Sequence, residues 1–185
     1  MPSELDLKVR ATLEAMTAPG QLLELDSVQK YGMDMPIFKN APDNVSDYLG
    51  YFCNEHKDKE FLVDGDIRLT FGETYAAARV LAGGLIDGHG VKKGDRIGIA
   101  ARNSANWLIL DMAITLAGGI STKLNGWWQG DELADGIEDV GCSIVFADSQ
   151  RAARLTALDR DFGAEVLIFE HDQAPLEGLK VLMEK

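Results

Sequence analysis

Between Arg96 and Phe169, four short apolar runs alternate with segments of helical spacing, and no other feature restricts the fold of this chain so tightly. The runs are Arg96 to Ala101, Gly119 to Leu124, Cys142 to Ala147 and Ala164 to Phe169. Each is the length of a strand, and three of the four are mainly apolar, as a strand covered on both faces is, while Gly119 to Leu124 also carries Ser121, Thr122 and Lys123. Ala105 to Ala117, Asp131 to Val140 and Arg151 to Asp161 lie between them and suit helices. Single helices between such strands imply right-handed crossovers and a parallel sheet. The fold class is therefore α/β, a doubly wound, mostly parallel sheet with helices on both faces.

What precedes the sheet is less regular. Leu5, Val9, Leu13 and Met16 recur at helical spacing ahead of Pro19 and Gly20. Gln21 to Pro42 shows no clear period and contains Gly32 and Pro36, so it reads as an irregular lead-in. Asp43 and Asn44 can cap a helix over Val45 to His56. Phe61 to Phe71 reads as a β-hairpin around Asp64, Gly65 and Asp66, because an Asp-Gly pair suits tight turns. Thr70 and Glu73 have capping-box spacing for a helix carrying Tyr75, Ala78, Leu81, Ala82 and Leu85, which Gly88 and Gly90 are placed to stop. Gly118 and Gly141 stand where helix-ending glycines are expected. We divide the chain into a helical lead-in, 1–60, and an α/β subdomain, 61–185.

Composition narrows function mainly by exclusion. Eighteen Lys and Arg against 30 Asp and Glu give a net charge of −12, which disfavours nucleic acid as a partner. Cys53 and Cys142 lie far apart in apolar surroundings and read as buried thiols, not as a disulfide framework or a zinc site. The longest apolar stretch, Trp107 to Gly119, is interrupted by Asp111, so no transmembrane segment is expected. The N-terminus has neither a secretory nor a transit pattern, and a cytoplasmic location is expected.

Most residues that attract a chemical reading have a plainer one. Gly88, Gly90 and Gly94 follow a helix and lead into a strand, the reverse of a dinucleotide fingerprint, so they read as a connecting turn. His56, His89 and His171 are scattered near element ends and read as solvated. Ser104 reads as a helix N-cap. Adjacent acidic pairs such as Asp131 with Glu132 point in different directions on a helix and suit a wet face. Asn125, Gly126, Trp127 and Trp128 are different, since they follow a strand at the edge where open α/β sheets collect ligands. Asn125, Trp127 and Trp128 are the candidate substrate-binding residues; the other reading is that the indoles cover the sheet edge or meet a neighbouring subdomain. At least one ring is expected to face outward, and loss of Trp128 is expected to leave the stability of this chain almost unchanged.

From about Arg68 to Leu155 the text resembles the N-terminal portion of the adenylate-forming (AMP-binding) acyl-CoA synthetase superfamily. Thr70, Glu73, Gly90, Val91, Gly94, Asp95, Arg96, Asn103 and Trp107 match one landmark, and Ala117, Gly118, Leu124, Asn125, Glu132 and Leu133 a second. The Asn-x-Trp-Trp variant, with Asp148 and Arg151 after the next strand, is similar to the fatty-acyl and related acyl-CoA ligase branch. Lys123 departs from the proline usual before Leu-Asn. The resemblance implies a partial N-terminal subdomain of a ligase that joins a carboxylate to coenzyme A through an acyl-adenylate. ATP, Mg2+ and coenzyme A would serve the parent enzyme, none being expected to bind this piece, and its partners would be the acyl substrate and the remaining subdomains. No Ser-Gly-Thr-Thr-Gly-x-Pro-Lys-like loop occurs in the 185 residues, so the piece is expected to be inactive alone and is assigned no catalytic residue and no metal ligand. Two alternatives stay open: a non-catalytic α/β binding or interaction domain that retains the fold, and the adenylation domain of a peptide-synthetase or luciferase-like relative.

Overall fold

The computed structural model describes residues 2–179 and divides the chain into two compact units, 1–48 and 49–185. The first holds helix α1 (Glu4–Thr17) and an antiparallel ribbon of β1 (Leu25–Lys30) and β2 (Met33–Phe38). Ser3 and Asp6 close a capping box at the start of α1. Helix α2 (Val45–Glu55) crosses into the second unit, and Asn44 caps it by accepting the Asp47 amide at 2.9 Å.

The ribbon replaces the irregular lead-in expected over 21–42. Gly32 and Pro36 look like breakers in the sequence but occupy positions that tolerate them. Tyr31 and Gly32 form the turn, both at positive φ (54° and 75°). Pro36 stands opposite Ser27 in a two-stranded ribbon, where each strand has one side free of ladder hydrogen bonds.

In the second unit β3 (Glu60–Asp64) and β4 (Ile67–Thr70) form the expected hairpin. Helix α3 (Phe71–His89) follows at once, with Thr70 and Glu73 closing its capping box. Then come β5 (Arg96–Ala100), α4 (Ala105–Leu116), β6 (Ile120–Lys123), α5 (Gly130–Val140), β7 (Ile144–Ala147), α6 (Ser149–Thr156) and β8 (Glu165–Ile168). The four strands are all parallel, in the order β6-β5-β7-β8. Gly88 lies inside α3, while Gly90 and Gly141 take left-handed conformations that end α3 and α5.

Strand alternation assigns the two faces. Ile97, Ile99, Ile144 and Phe146 join Leu81 and Leu85 of α3 and Ile109, Leu110 and Ile114 of α4 in one core. Ala100, Val145 and Ala147 turn the other way and meet Leu133 and Ile137 of α5 and Leu155 of α6. Both cores are needed, because the central strands β5 and β7 are buried on both faces. Helix α4 is buried on most sides and α5 along a stripe, as their sequences imply. Helix α6 ends at Thr156, short of the expected Asp161; beyond it Arg160 bridges to Asp135 and Glu138 at 2.9 and 2.6 Å.

Both cysteines are buried, and burial raises both thiol pKa values. The histidines differ from expectation. All three are half-buried. His56 lies between the rings of Phe52 and Phe71, and His89 sets its ring edgewise to Phe146. An imidazole body at an element end gains from covering an aromatic neighbour.

Gly98 in the middle of β5 is required by close approach. A Cβ there would meet Val145 Cγ2 at 3.0 Å and Leu124 Cδ1 at 3.2 Å. Gly98→Val is expected to lower unfolding free energy by about 1–3 kcal/mol through overpacking; an unchanged denaturant midpoint would contradict the described packing.

Candidate functional site

The loops after β5, β6 and β7 meet at the C-terminal edge of the sheet. Asp148 follows β7 and is 1% exposed, so its carboxylate has to be satisfied within the fold. Its Oδ1 accepts the Arg151 amide at 3.0 Å, capping α6. Its Oδ2 accepts the Arg102 amide at 3.1 Å and Arg151 Nη1 at 3.0 Å. One buried side chain thereby ties the end of β5 to the start of α6.

Arg151 extends the tie to the third loop, its Nε donating to the Gly126 carbonyl at 2.8 Å. Arg154, one turn further along α6, donates from Nη1 to the Trp128 carbonyl at 2.6 Å and to Gly126 at 3.3 Å. The loop also closes on itself. Asn125 Oδ1 accepts the Trp127 amide at 3.0 Å, an Asx turn, and its carbonyl accepts the Trp128 amide at 3.1 Å. The Gln129 amide then donates to Glu132 at the start of α5.

The two indoles part company. Trp127 is 84% exposed. Trp128 is half-buried and packs into the core under α5, so close to Gly136 that a Cβ there would come within 2.8 Å of the ring. This differs from the expectation that loss of Trp128 would barely affect stability. Consecutive residues in a turn point to opposite sides, and the missing side chain at Gly136 leaves the space that Trp128 fills.

Beneath Trp127 lies an open cleft of about 480 Å3, lined among others by Arg102, Asn103, Trp107, Asn125 and Arg151. No acidic side chain lines it, although the chain as a whole carries −12. Lys123 lies at its rim and pairs with Asp111 of α4 at 2.8 Å, so the residue standing in place of the expected proline is used to fasten β6 to α4. The far side of the edge is held by α4. Ser104 caps it through the Trp107 amide at 3.1 Å, and Asp64 of the hairpin accepts the Ala105 amide at 2.8 Å. Asn106, fully buried, donates to the carbonyls of Glu170 and Gln173 and holds down the segment after β8.

Sequence reading found Asn125, Trp127, Trp128, Asp148 and Arg151, and the structure brings all five to one edge. It did not single out Arg102, Asn106 or Arg154. For Arg154 a signal was present, since Arg151 and Arg154 stand three apart after a capping Asp and so share a helix face. For Asn106 none was, because its partners come from a distant segment.

The turn through Gly90 and Gly94 closes the C-terminal end of α3, where carbonyls repel phosphate. No group of three His, Cys, Asp or Glu side chains among the described residues could hold a metal ion, and no described helix is long and apolar enough to cross a membrane.

Comparison with known proteins gives a consistent result. The sequence model of the AMP-binding enzyme family matches residues 51–182. The mitochondrial medium-chain acyl-CoA ligase ACSF2 of Pongo abelii is 38% identical over 116 residues, which are 62% of this chain and 18% of that protein. The 4-coumarate–CoA ligase 3 of Arabidopsis thaliana is 32% identical over 103 residues, 55% of this chain and again 18% of the relative. The chain thus spans about a fifth of the curated relatives it matches. Among solved structures, the N-terminal domain of FACL13 from Mycobacterium tuberculosis superposes with a TM-score of 0.66 over 77% of this chain and 36% of that one. At 19% identity that likeness is one of fold.

The parting of the indoles predicts different costs. Trp128→Ala is expected to destabilise the chain by about 2–3 kcal/mol, because the cavity left beside Gly136 cannot close. Trp127→Ala is expected to stay within about 0.5 kcal/mol of the parent. Equal denaturant midpoints for the two variants would refute the division of roles.

Proposed function

The chain belongs to the AMP-binding enzyme family, and from that premise we propose that it is the N-terminal part of an ATP-dependent carboxylate–CoA ligase. In the parent reaction the substrate carboxylate attacks the α-phosphorus of ATP and pyrophosphate leaves; the thiol of coenzyme A then takes the acyl group and AMP leaves. The observation that carries this reading is the family match over 51–182, supported by CoA ligase relatives of two kinds, medium-chain acyl and 4-coumarate by name. A non-catalytic domain built on the same fold would need no such cleft free of acidic residues at the sheet edge.

Within the parent enzyme, 61–185 serves as the α/β subdomain and 1–60 as its lead-in. Its part in the chemistry is placement. Asn125 and Trp127 form the surface that faces the acyl substrate or the subdomain enclosing it, and Trp128 roots that surface in the core. Arg102 keeps the cleft attractive to an anionic ligand. ATP, Mg2+ and coenzyme A are expected to be held mainly by other parts of the parent enzyme, since no Ser-Gly-Thr-Thr-Gly-x-Pro-Lys-like loop occurs in these 185 residues. Medium-chain acids are a reasonable substrate class by kinship with ACSF2. That relative is mitochondrial by name, whereas a cytoplasmic location is our proposal for this chain.

The test is exchange of labelled pyrophosphate into ATP with a panel of fatty and aryl carboxylic acids. The 185 residues alone are expected to give the rate of a buffer blank, and an enzyme carrying them as its N-terminal segment is expected to exchange in the presence of its acid. Exchange by the isolated chain would place the chemistry here and overturn the assignment. No exchange by the longer enzyme with any acid would remove the ligase reading itself.

A further inference from the structure

Trp127 combines two properties that seldom occur together. Its ring is 84% exposed, yet the backbone on both sides of it is pinned. The carbonyls of Gly126 and Trp128, which flank it, accept from Arg151 Nε at 2.8 Å and from Arg154 Nη1 at 2.6 Å. The amides of Trp127 and Trp128 are bound by Asn125. The loop also runs tightly along α6, since a Cβ at Gly130 would lie 2.7 Å from the Arg154 carbonyl, and one at Gly126 would lie 3.4 Å from Arg151 Nη2.

Charge-assisted hydrogen bonds are too directional to be spent on a loop whose conformation is of no consequence. Arg151 is itself oriented by Asp148, through the contact that caps α6. Trp128 needs anchoring because it is part of the core, but the Gly126 carbonyl, two residues earlier, receives two guanidinium donors and supports no core side chain. What those donors fix is the direction of Trp127.

We propose that Arg151 and Arg154 are positioning residues, which hold the Asn125 to Gln129 loop on α6 so that the Trp127 indole stands ready at the mouth of the cleft. The proposal rests on reading that cleft as the substrate-facing edge. Holding the loop in one conformation lowers the ordering cost when the indole is covered.

Hydrogen exchange of the 185-residue chain tests the clamp directly. Arg154→Met keeps the aliphatic stem but removes the donors; Arg154→Lys keeps the charge without the fork. Arg154→Met is expected to speed exchange of the Trp127 and Trp128 amides about tenfold while the amides of β5 keep parental rates, with Arg154→Lys between the two. Unchanged loop exchange would overturn the proposal, as would a rise shared equally by β5, which marks global destabilisation. Should Arg154→Met fail to fold, Arg154→Gln takes its place.

A second arm separates clamp from cleft. In an exchange-active enzyme carrying this segment, Arg154→Met and Trp127→Ala are each expected to lower kcat/KM about tenfold, and the double variant no further, since both remove the same presented ring. Additive losses would overturn the link between the arginine and the indole. A loosened loop with unchanged turnover would support the clamp but refute the substrate-facing role of Trp127.

Discussion

A carboxylate held at 1% exposure is the constraint on which this sheet edge depends. Asp148 cannot be buried unless its lone pairs are met, and the donors come from two different segments: Arg102 after β5, and the amide and guanidinium of Arg151 in α6. The arginine is admitted to the interior for the same reason, and its remaining reach fixes the loop after β6. Removing either partner would leave a charge stranded in a medium that solvates it poorly. Three loops distant in sequence are therefore held in register by one ion pair.

The parallel sheet was legible because its strands obey a strong local rule: short, mainly apolar runs preceded by glycine and separated by one helix, β6 being the most polar of them. Thr70 with Glu73 and Ser104 gave two of the helix starts, since capping is a short-range contact between residues three apart. The hairpin of β1 and β2 was not legible. Its turn residue Tyr31 adopts a positive φ that its chemistry does not announce, and Pro36 is tolerated only because the ribbon has two strands.

The site was legible in position and only partly in orientation. Asn125 to Trp128 follow a strand, so the edge they occupy can be read from the text. Which indole turns inward depends on Gly136, eight residues on, and on the path of α5. Likewise the use of Lys123 to pair with Asp111 is invisible without the packing of β6 on α4. Such pairings join residues whose proximity is created by the fold.

The strand order has a consequence in time. β5 lies between β6 and β7, both of which are made after it. Ile97 and Ile99 therefore leave the ribosome with no hydrogen-bonding neighbour on either side, and the strand is not enclosed until Ala147 has been synthesised. Non-local parallel pairing of this kind is slow and leaves apolar segments open to wrong partners in the interval. During synthesis, helix α3, formed just before β5 and sharing its core, offers a surface against which that strand can wait.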